Sequence, residues 1–130
     1  MRIEGSFEVS GWQEETYEEM GAGARLARAS VTQRFEGGIT GGGAVQWLMA
    51  YRPDGTARFV GLQRVEGRIG ERRGTFLLET AGDFDGTMAR WQASVVPSSG
   101  TDGLVGLTGQ GTFGAPHGPE ATFELDLDFA

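Results

Sequence analysis

The feature that most constrains the fold of this chain is the regular alternation of apolar and polar residues in short runs. In the segment TFELDLDF, residues 122–129, every second residue is apolar. Successive side chains of a β-strand point to opposite faces, so such a run predicts a strand with one apolar and one polar face. Eight runs predict eight strands, at residues 3–9, 26–35, 44–51, 57–65, 75–80, 88–96, 104–113 and 121–129.

The segments between these runs predict short turns. They include RPDG at 52–55, GE at 70–71 and DG at 85–86. Short turns join antiparallel neighbours, and eight strands can close into a barrel without exposed edges. We therefore expect one all-β domain over residues 1–130, an eight-stranded antiparallel up-and-down barrel. Residues 12–24 lack the alternation and are predicted to form a surface excursion or a short helix.

The composition excludes several classes of function. The chain has no cysteine, and all 11 basic residues are arginines. Disulfides, thiolate nucleophiles, Schiff bases and a lysine-containing phosphate loop are therefore excluded. The net charge of −7 argues against nucleic acid as a partner. No apolar run approaches the ~20 residues of a membrane span, and no signal segment is evident, so we expect a cytoplasmic protein without a membrane partner. We also expect no cofactor.

Three glycines in the stretch LTGQGTFGAPHG, residues 107–118, have the spacing of a dinucleotide-binding fingerprint. That fingerprint requires a helix after the glycines, but Pro116 and Pro119 break any helix and an alternating strand follows. Gly109 and Gly111 instead belong to a strand. There a missing side chain allows tight coiling or leaves room for a ligand inside a barrel.

The same stretch resembles the glycine-rich motif in the penultimate strand of allene oxide cyclases and dirigent proteins, which are eight-stranded barrels. The resemblance to one bacterial family, designated domain of unknown function 3224, covers nearly the whole chain. It is carried by the segments SFEVSGWQEETY, ASVTQRFEG, LMAYRPDGTARFVGLQR, GTFLLETAGDFDG and GLTGQGTFGAPHGPEATFELDLDF. The resemblance implies a barrel similar to that of the allene oxide cyclases, in which related proteins hold a small, mainly apolar molecule.

The resemblance also implies a glutamate and a histidine at two positions where this chain has Gln63 and Thr80. A carboxylate and an imidazole could act there as acid and base, whereas an amide and a hydroxyl do not titrate near neutral pH. Proton-transfer chemistry at this position is therefore in doubt for this chain, and ligand binding or shape-guided catalysis is favoured.

The predicted turns determine which residues face the barrel interior. A two-residue turn at 70–71 places Gln63 opposite Leu78, and a similar turn at 85–86 places Thr80 beside Trp91. A four-residue loop at 52–55 adds Gln46 to this face. The residues predicted to surround a ligand are Gln33, Gln46, Phe59, Trp91, Gly109 and Gly111. The outer face is predicted to carry an apolar patch that could join the subunits of a homo-oligomer, at Trp47, Met49, Tyr51, Val60 and Leu62.

Different classes of function remain open. A cyclase or isomerase would fold an apolar substrate inside the barrel and offer it amide hydrogen bonds, with Gln63 and Thr80 as candidate catalytic residues. A binding protein would use the same cavity without chemistry, and a structural module would have a filled barrel in which the buried amides bond one another or water. Glu8 is a further catalytic candidate because allene oxide cyclases carry an acidic residue in their first strand, although its alternation with Phe7 favours a position facing solvent.

Other candidate residues favour structural roles. His117 lies in the proline-rich stretch APHGP, and no serine or cysteine nucleophile motif accompanies it. No set of ligands with metal-binding spacing is evident, so no metal site is predicted. Asp83 and Asp85 in GDFDGT are interpreted as turn acids, since the rest of a calcium loop is missing.

Overall fold

A computed structural model of the protein describes residues 1–116 and 121–130. These residues form eight β-strands and one 3₁₀ turn at Asp102–Leu104. The strands are β1 (Arg2–Gly21), β2 (Ala24–Gly37), β3 (Thr40–Tyr51), β4 (Ala57–Ile69), β5 (Arg72–Phe84), β6 (Met88–Val95), β7 (Leu107–Pro116) and β8 (Ala121–Phe129). Each strand pairs antiparallel with its sequence neighbour, and β8 pairs with β1 to close the barrel. The predicted eight-stranded antiparallel up-and-down barrel is confirmed.

Residues 12–21 continue strand β1, so the prediction of a surface excursion or helix at 12–24 is wrong. The segment pairs with β2, and three β-bulges interrupt the pairing between residues 9 and 21. A bulge inserts an extra residue and changes which residues share a face. This is why the alternation is lost in the sequence although the chain remains extended.

The turn between β3 and β4 is one residue shorter than predicted, and this reverses the faces of β3. The Arg52 N–H donates to the Thr56 carbonyl at 2.8 Å, so only residues 53–55 form the turn. Gly55 adopts a φ of 89°, the left-handed conformation that completes a three-residue hairpin turn. Changing the loop by one residue moves every side chain of β3 to the opposite face relative to β4.

As a result, Trp47 and Met49 lie in the interior, 4% and 5% exposed. Tyr51 also faces inward and is half-buried at the rim of the barrel. The predicted outer patch at these three residues is therefore wrong. Gln46 and Leu48 instead face solvent, so the predicted interior position of Gln46 is wrong as well.

The other two predicted turns preserve the faces. The turn at 70–71 has the predicted register and places Gln63 opposite Leu78. The turn between β5 and β6 lies one residue further along, which shifts the pairing of these strands by two residues. Thr80 therefore lies opposite Ala93, and its predicted position beside Trp91 is wrong. A shift of two residues keeps the inner face, and Trp91 is 3% exposed.

Aromatic rings fill much of the interior, and glycines make room for them. Three inward-facing glycines each lie opposite an aromatic residue of the neighbouring strand: Gly61 opposite Trp47, Gly82 opposite Trp91 and Gly5 opposite Phe123. A Cβ on each glycine would lie within 2.6 Å of a side-chain carbon of its aromatic partner. The glycines thus allow rings to cross over the neighbouring strand.

The two ends of the barrel differ. One end, which we call the base, is closed by buried apolar residues at Ile39, Ile69, Leu104 and Leu107. The other end, which we call the mouth, carries the turns β1–β2, β3–β4 and β5–β6. Inward-facing residues around the rim of the mouth remain partly exposed: Tyr51, Phe84, Ala89 and Ala115. The interior therefore comes closest to solvent at the mouth.

Candidate functional site

The buried polar residues of the described chain are Gln33, Gln63 and Thr80, each 3% exposed or less. Gln33 on β2 and Gln63 on β4 reach each other across β3, where Gly43 lies opposite Gln33 and contributes no side chain. The Gln63 Nε2 donates a hydrogen bond to the Gln33 Oε1 at 2.7 Å. The predicted interior positions of all three polar residues are thus observed, and two of them are directly paired.

Three buried side-chain atoms have no hydrogen-bond partner within the part of the chain that the structure describes: Gln33 Nε2, Gln63 Oε1 and Trp91 Nε1. An unpaired buried polar atom costs about 1–3 kcal/mol, so native proteins contain few of them. In either orientation of the two amides, the pair retains one free donor and one free acceptor. Together with the Trp91 N–H, the interior offers a guest two donors and one acceptor.

Thr80 is satisfied by the protein itself. Its hydroxyl donates to the Gly61 carbonyl at 3.0 Å and accepts from the Trp47 Nε1 at 3.2 Å. It forms no hydrogen bond with Gln63, so the predicted catalytic pair is not joined by the structure. The role of Thr80 observed here is to hold the Trp47 indole in the interior.

The two residues predicted as apolar walls, Phe59 and Trp91, both lie in an interior ring cluster. Trp47 packs between them, with ring centroids 4.9 Å from Phe59 and 5.0 Å from Trp91. Trp91 also stacks on Phe113 with 5.2 Å between centroids and an interplanar angle of 5°. The walls are therefore in contact with one another, and a ligand would have to separate rings that now touch.

Gly109 and Gly111 serve close packing. A Cβ at either position would collide with a backbone carbonyl of β8, that of Asp126 or Glu124. It would also lie 2.9 Å from a methyl carbon of Leu127 or 2.7 Å from one of Leu125. Of the two interpretations of these glycines, the structure supports tight coiling, because β8 leucines occupy the adjacent interior space.

Two candidates lie on the outer face. Glu8 is exposed and forms an ion pair with Arg34 at 3.6 Å, so it has the solvent-facing position that its alternation with Phe7 favours. Gln46 accepts a hydrogen bond from the Ser30 hydroxyl at 2.8 Å on the same outer surface. Neither side chain can contact a molecule held at Gln33 and Gln63.

The mouth contains residues that the sequence did not suggest. Strand β1 pairs with β8 only over Arg2–Phe7, and among the described residues its remainder pairs only with β2. Trp12 lies in this remainder, opposite the buried Val31. Its indole is half-exposed and packs against Trp47, with 6.1 Å between centroids. Trp12 thus covers part of the mouth from the side of β1.

A hydrogen-bonded cluster around Glu14 holds this segment in place. The carboxylate, 17% exposed, accepts from the Tyr51 hydroxyl at 3.0 and 3.1 Å and from the Trp12 Nε1 at 3.2 Å. Arg25 donates to it at 3.4 Å and stacks on the Tyr51 ring at 3.9 Å. Burial, followed by the hydrogen bond and the charge of Glu14, raises the pKa of Tyr51 to about 12.

This cluster is not evident from the sequence for two reasons. Glu14 lies in the segment 12–24, which was predicted to be a surface excursion or short helix because the bulges of β1 hide its inward orientation. Tyr51 was placed outside because of the error in the β3–β4 loop. Tyr51, Trp12 and Trp47 can be identified in the sequence, but only the strand register shows that they lie together at the mouth.

The described surface carries open grooves. Two of them have volumes of about 610 and 580 Å³, and neither is lined by Gln33 or Gln63, although the lining of the second includes Trp91 and Phe113. The second is bordered by Asp83 and Asp85. Asp83 pairs with Arg58 at 2.8 Å, and hydrogen bonds from Thr87 and Met88 hold the pKa of Asp85 below its usual range. Both acids thus have structural partners, in agreement with their interpretation as turn acids.

Three further observations concern the remaining predictions. His117 lies outside the described residues. Within residues 1–116 and 121–130, no three histidine, aspartate or glutamate side chains cluster as potential metal ligands. The same part of the chain contains no helix long and apolar enough to cross a membrane.

Comparison with known proteins supports the family and the barrel. Residues 3–127 match the model of a family described as protein of unknown function, DUF3224. A crystal structure of a DUF3224 protein of unknown function from Shewanella oneidensis MR-1 is similar, with a TM-score of 0.84 and 26% identity. The match covers 100% of this chain and 98% of that one. No curated protein sequence matches the chain. The likeness to allene oxide cyclases stays a prediction, whereas the match over residues 3–127 shows that the chain belongs to the DUF3224 family.

Proposed function

We propose that the barrel binds a small, uncharged and mainly apolar molecule, whose hydrogen-bonding group meets the Gln33–Gln63 pair. The observation that carries this proposal is the set of unpartnered atoms, Gln33 Nε2, Gln63 Oε1 and Trp91 Nε1, in an otherwise apolar interior. A molecule that hydrogen-bonds to them recovers the free energy that the empty protein loses by leaving them unpaired.

The absence of buried charge among the described residues defines the chemical class of the ligand. The buried polar residues there are two amides and one hydroxyl. An ionised ligand would lose its hydration without meeting an opposite charge, which is strongly unfavourable. A neutral molecule with a carbonyl, amide or hydroxyl group fits the available donors and acceptor.

The packing of the interior aromatic rings determines how fast a ligand can bind. Because Trp47, Phe59 and Trp91 contact one another, a ligand must displace rings to reach the amides. We therefore expect slow association that is limited by opening of the protein. A cyclase or isomerase activity would have to rely on folding the substrate and on amide hydrogen bonds, since the buried polar groups do not titrate near neutral pH.

Calorimetry with naphthalene-1-carboxamide, naphthalene and naphthalene-1-carboxylate tests the proposal. The carboxamide should bind most tightly and the carboxylate least. The double variant Gln33→Leu/Gln63→Leu should weaken carboxamide binding about tenfold, the loss expected for one hydrogen bond, and leave naphthalene unaffected. Gln46→Leu, which removes an exposed amide from the outer face, is the matched control. Equal affinities in the interior variant and the control would contradict the proposal, as would no binding at all.

A second candidate function is self-association. Leu48, Val60 and Leu62 are 49%, 45% and 54% exposed and lie on the outer faces of the paired strands β3 and β4. Val60 and Leu62 belong to the predicted outer patch, and with Leu48 in place of the buried residues of that patch they form the apolar surface through which a homo-oligomer could form. Sedimentation velocity tests this candidate, since Leu62→Arg should shift an oligomer to the monomer, and a wild-type protein that is monomeric at all concentrations would exclude it.

A further inference from the structure

We propose that small molecules reach the interior through the mouth, past Trp12, and that the Trp12 indole controls this passage. The inference rests on the proposed function because it concerns the route to the same interior site. It is carried by the position of Trp12 in the fold, at the place where β1 has left β8 and remains bonded only to β2 among the described residues.

The three tryptophans of the chain form a continuous series from solvent to the unpartnered atoms. Trp12 is 48% exposed, and its ring lies 6.1 Å from Trp47. Trp47 in turn lies 5.0 Å from Trp91, whose Nε1 has no partner. A molecule that displaces the first indole therefore meets the second, and behind it the free donor of the third.

The other routes in the described structure are closed. At the base, Ile39, Ile69, Leu104 and Leu107 are at most 4% exposed. Around the wall, every neighbouring pair of strands from β2 to β8 is joined by a ladder of backbone hydrogen bonds. Passing between strands would break several backbone hydrogen bonds at once, whereas moving Trp12 breaks none in the barrel wall.

The segment that carries Trp12 is suited to local opening. Among residues 1–116 and 121–130 it is hydrogen-bonded on one side only, and Gly11 and a β-bulge precede the tryptophan. Segments with few buried contacts open at a lower free energy than the core. Glu14 acts here as a positioning residue, because its carboxylate accepts from the Trp12 indole and is itself held by Tyr51 and Arg25.

Quenching by acrylamide, a small neutral amide, tests the route without any other ligand. Trp12→Ala and Trp12→Phe both leave Trp47 and Trp91 as the only tryptophans, so their quenching reports access to the interior. The alanine variant should be quenched about three- to tenfold faster than the phenylalanine variant, the factor expected for losing one aromatic contact. Equal quenching rates at equal thermal stability would overturn the proposal.

A removable plug tests the same route by kinetics, which is practical because the chain has no cysteine. Trp12→Cys treated with a benzyl methanethiosulfonate should bind naphthalene-1-carboxamide at least about tenfold more slowly than the same variant after reduction. Val105→Cys, modified at a 64% exposed residue near the base, is the control and should not change. Equal slowing at both sites, or none at Trp12→Cys, would overturn the route.

Glu14 is tested by rescue. Glu14→Ala should accelerate association of the carboxamide, whereas Glu14→Gln, which keeps an acceptor for the indole, should remain close to the wild type. If both variants accelerate equally, the indole hydrogen bond is not what positions Trp12. If the carboxamide fails to bind the wild type, the proposed function fails, and the acrylamide comparison still decides whether the mouth is the route.

Discussion

At the scale of single residues, the Gln33 and Gln63 amides are joined by one hydrogen bond, but one polar atom of each has no partner among the described residues. This has a consequence for stability. Either single replacement by leucine removes the 2.7 Å hydrogen bond and leaves the other amide alone in an apolar interior. We expect each single variant to lose about 1–3 kcal/mol of unfolding free energy. The double variant should recover most of this loss, because two apolar side chains need no partner.

Urea unfolding of the four proteins in this double-mutant cycle measures the coupling between the amides. Losses that simply add in the double variant would show that the two amides do not act as a pair. Combined with the binding assay, the cycle would show whether the pair is kept at the expense of stability. A double variant that is stable but binds the carboxamide about tenfold more weakly is the expected outcome.

Tyr51 gives the mouth a measurable dependence on pH. Its pKa is raised from an ordinary value of 10.0 to about 12, so the folded protein holds this proton more tightly than the unfolded chain. The stabilisation is fully present below pH 10 and should be lost as the pH rises towards 12. Tyr51→Phe should reduce the alkaline loss of stability, measured by chemical unfolding across that range.

The control for this prediction is Tyr17→Phe, which changes the other tyrosine of the chain, a half-exposed one. It should leave the alkaline slope unchanged. Absorbance at 295 nm offers a direct check, since Tyr51 is the only tyrosine left in Tyr17→Phe and its signal should appear near pH 12 rather than near its ordinary pKa of 10.0. The same slope in both variants would mean that Tyr51 is not held by Glu14 in solution.

At the scale of strands, glycines opposite aromatic rings determine whether neighbouring strands can approach. Gly61→Ala should be strongly destabilising, by about 1–3 kcal/mol or more, because its Cβ would meet the Gln46 carbonyl and lie 2.6 Å from the Trp47 ring. Gly42→Ala, in β3, is the matched control, since its Cβ would meet one atom at 3.5 Å. Thermal unfolding should separate the two variants, and equal midpoints would contradict this explanation of the packing.

Strand formation was predictable because alternation is a local property of the chain. The run TFELDLDF became β8, and the paired positions of β4 and β5 followed from the turn at 70–71. The length of the turn at 53–55 could not be predicted from the sequence, because RPDG is compatible with loops of three or four residues. That single residue decided the positions of Trp47 and Gln46.

The candidate site was predictable to the same extent. Gln63, Thr80 and Trp91 were placed inside correctly because β4, β5 and β6 are joined by turns that preserve parity, and Gln33 on β2 is buried as predicted. The cluster at Glu14 was not, because it depends on bulges within β1, and a bulge leaves no distinctive residue pattern in a run of glutamates. Local alternation therefore predicts correctly which face of the sheet a residue occupies only in stretches of strand without a bulge or a turn of unexpected length.

At the scale of the whole molecule, the barrel is closed by pairing across nearly the full length of the chain. Residues Arg2–Phe7 of β1 pair with Ala121–Asp126 of β8, so this ladder cannot form until both ends have met. Contacts of such large sequence separation form late and slow down folding. We expect variants in this ladder, such as Ser6→Pro, to speed unfolding more than variants in the β4–β5 hairpin.

Stopped-flow refolding and unfolding in urea can measure this difference. The β4–β5 hairpin is local, and a matched proline at Thr75 in β5 should slow refolding if that hairpin forms early. An unfolding rate unaffected by Ser6→Pro would contradict the assignment of the β1–β8 ladder as the last to close.

Because the ladder between β1 and β8 is short, we also expect part of β1 to open and close repeatedly in the folded protein. Amide protons on β1 beyond Phe7 should exchange with solvent within the time of local opening, while those of β4 and β5 should persist until the whole barrel unfolds. The rate of that exchange is a lower limit on how often the segment opens, and faster opening of the segment should allow faster passage past Trp12. Because this opening limits association, different guests should enter at similar rates, and the residence time inside the barrel should lengthen in proportion to the affinity of the guest.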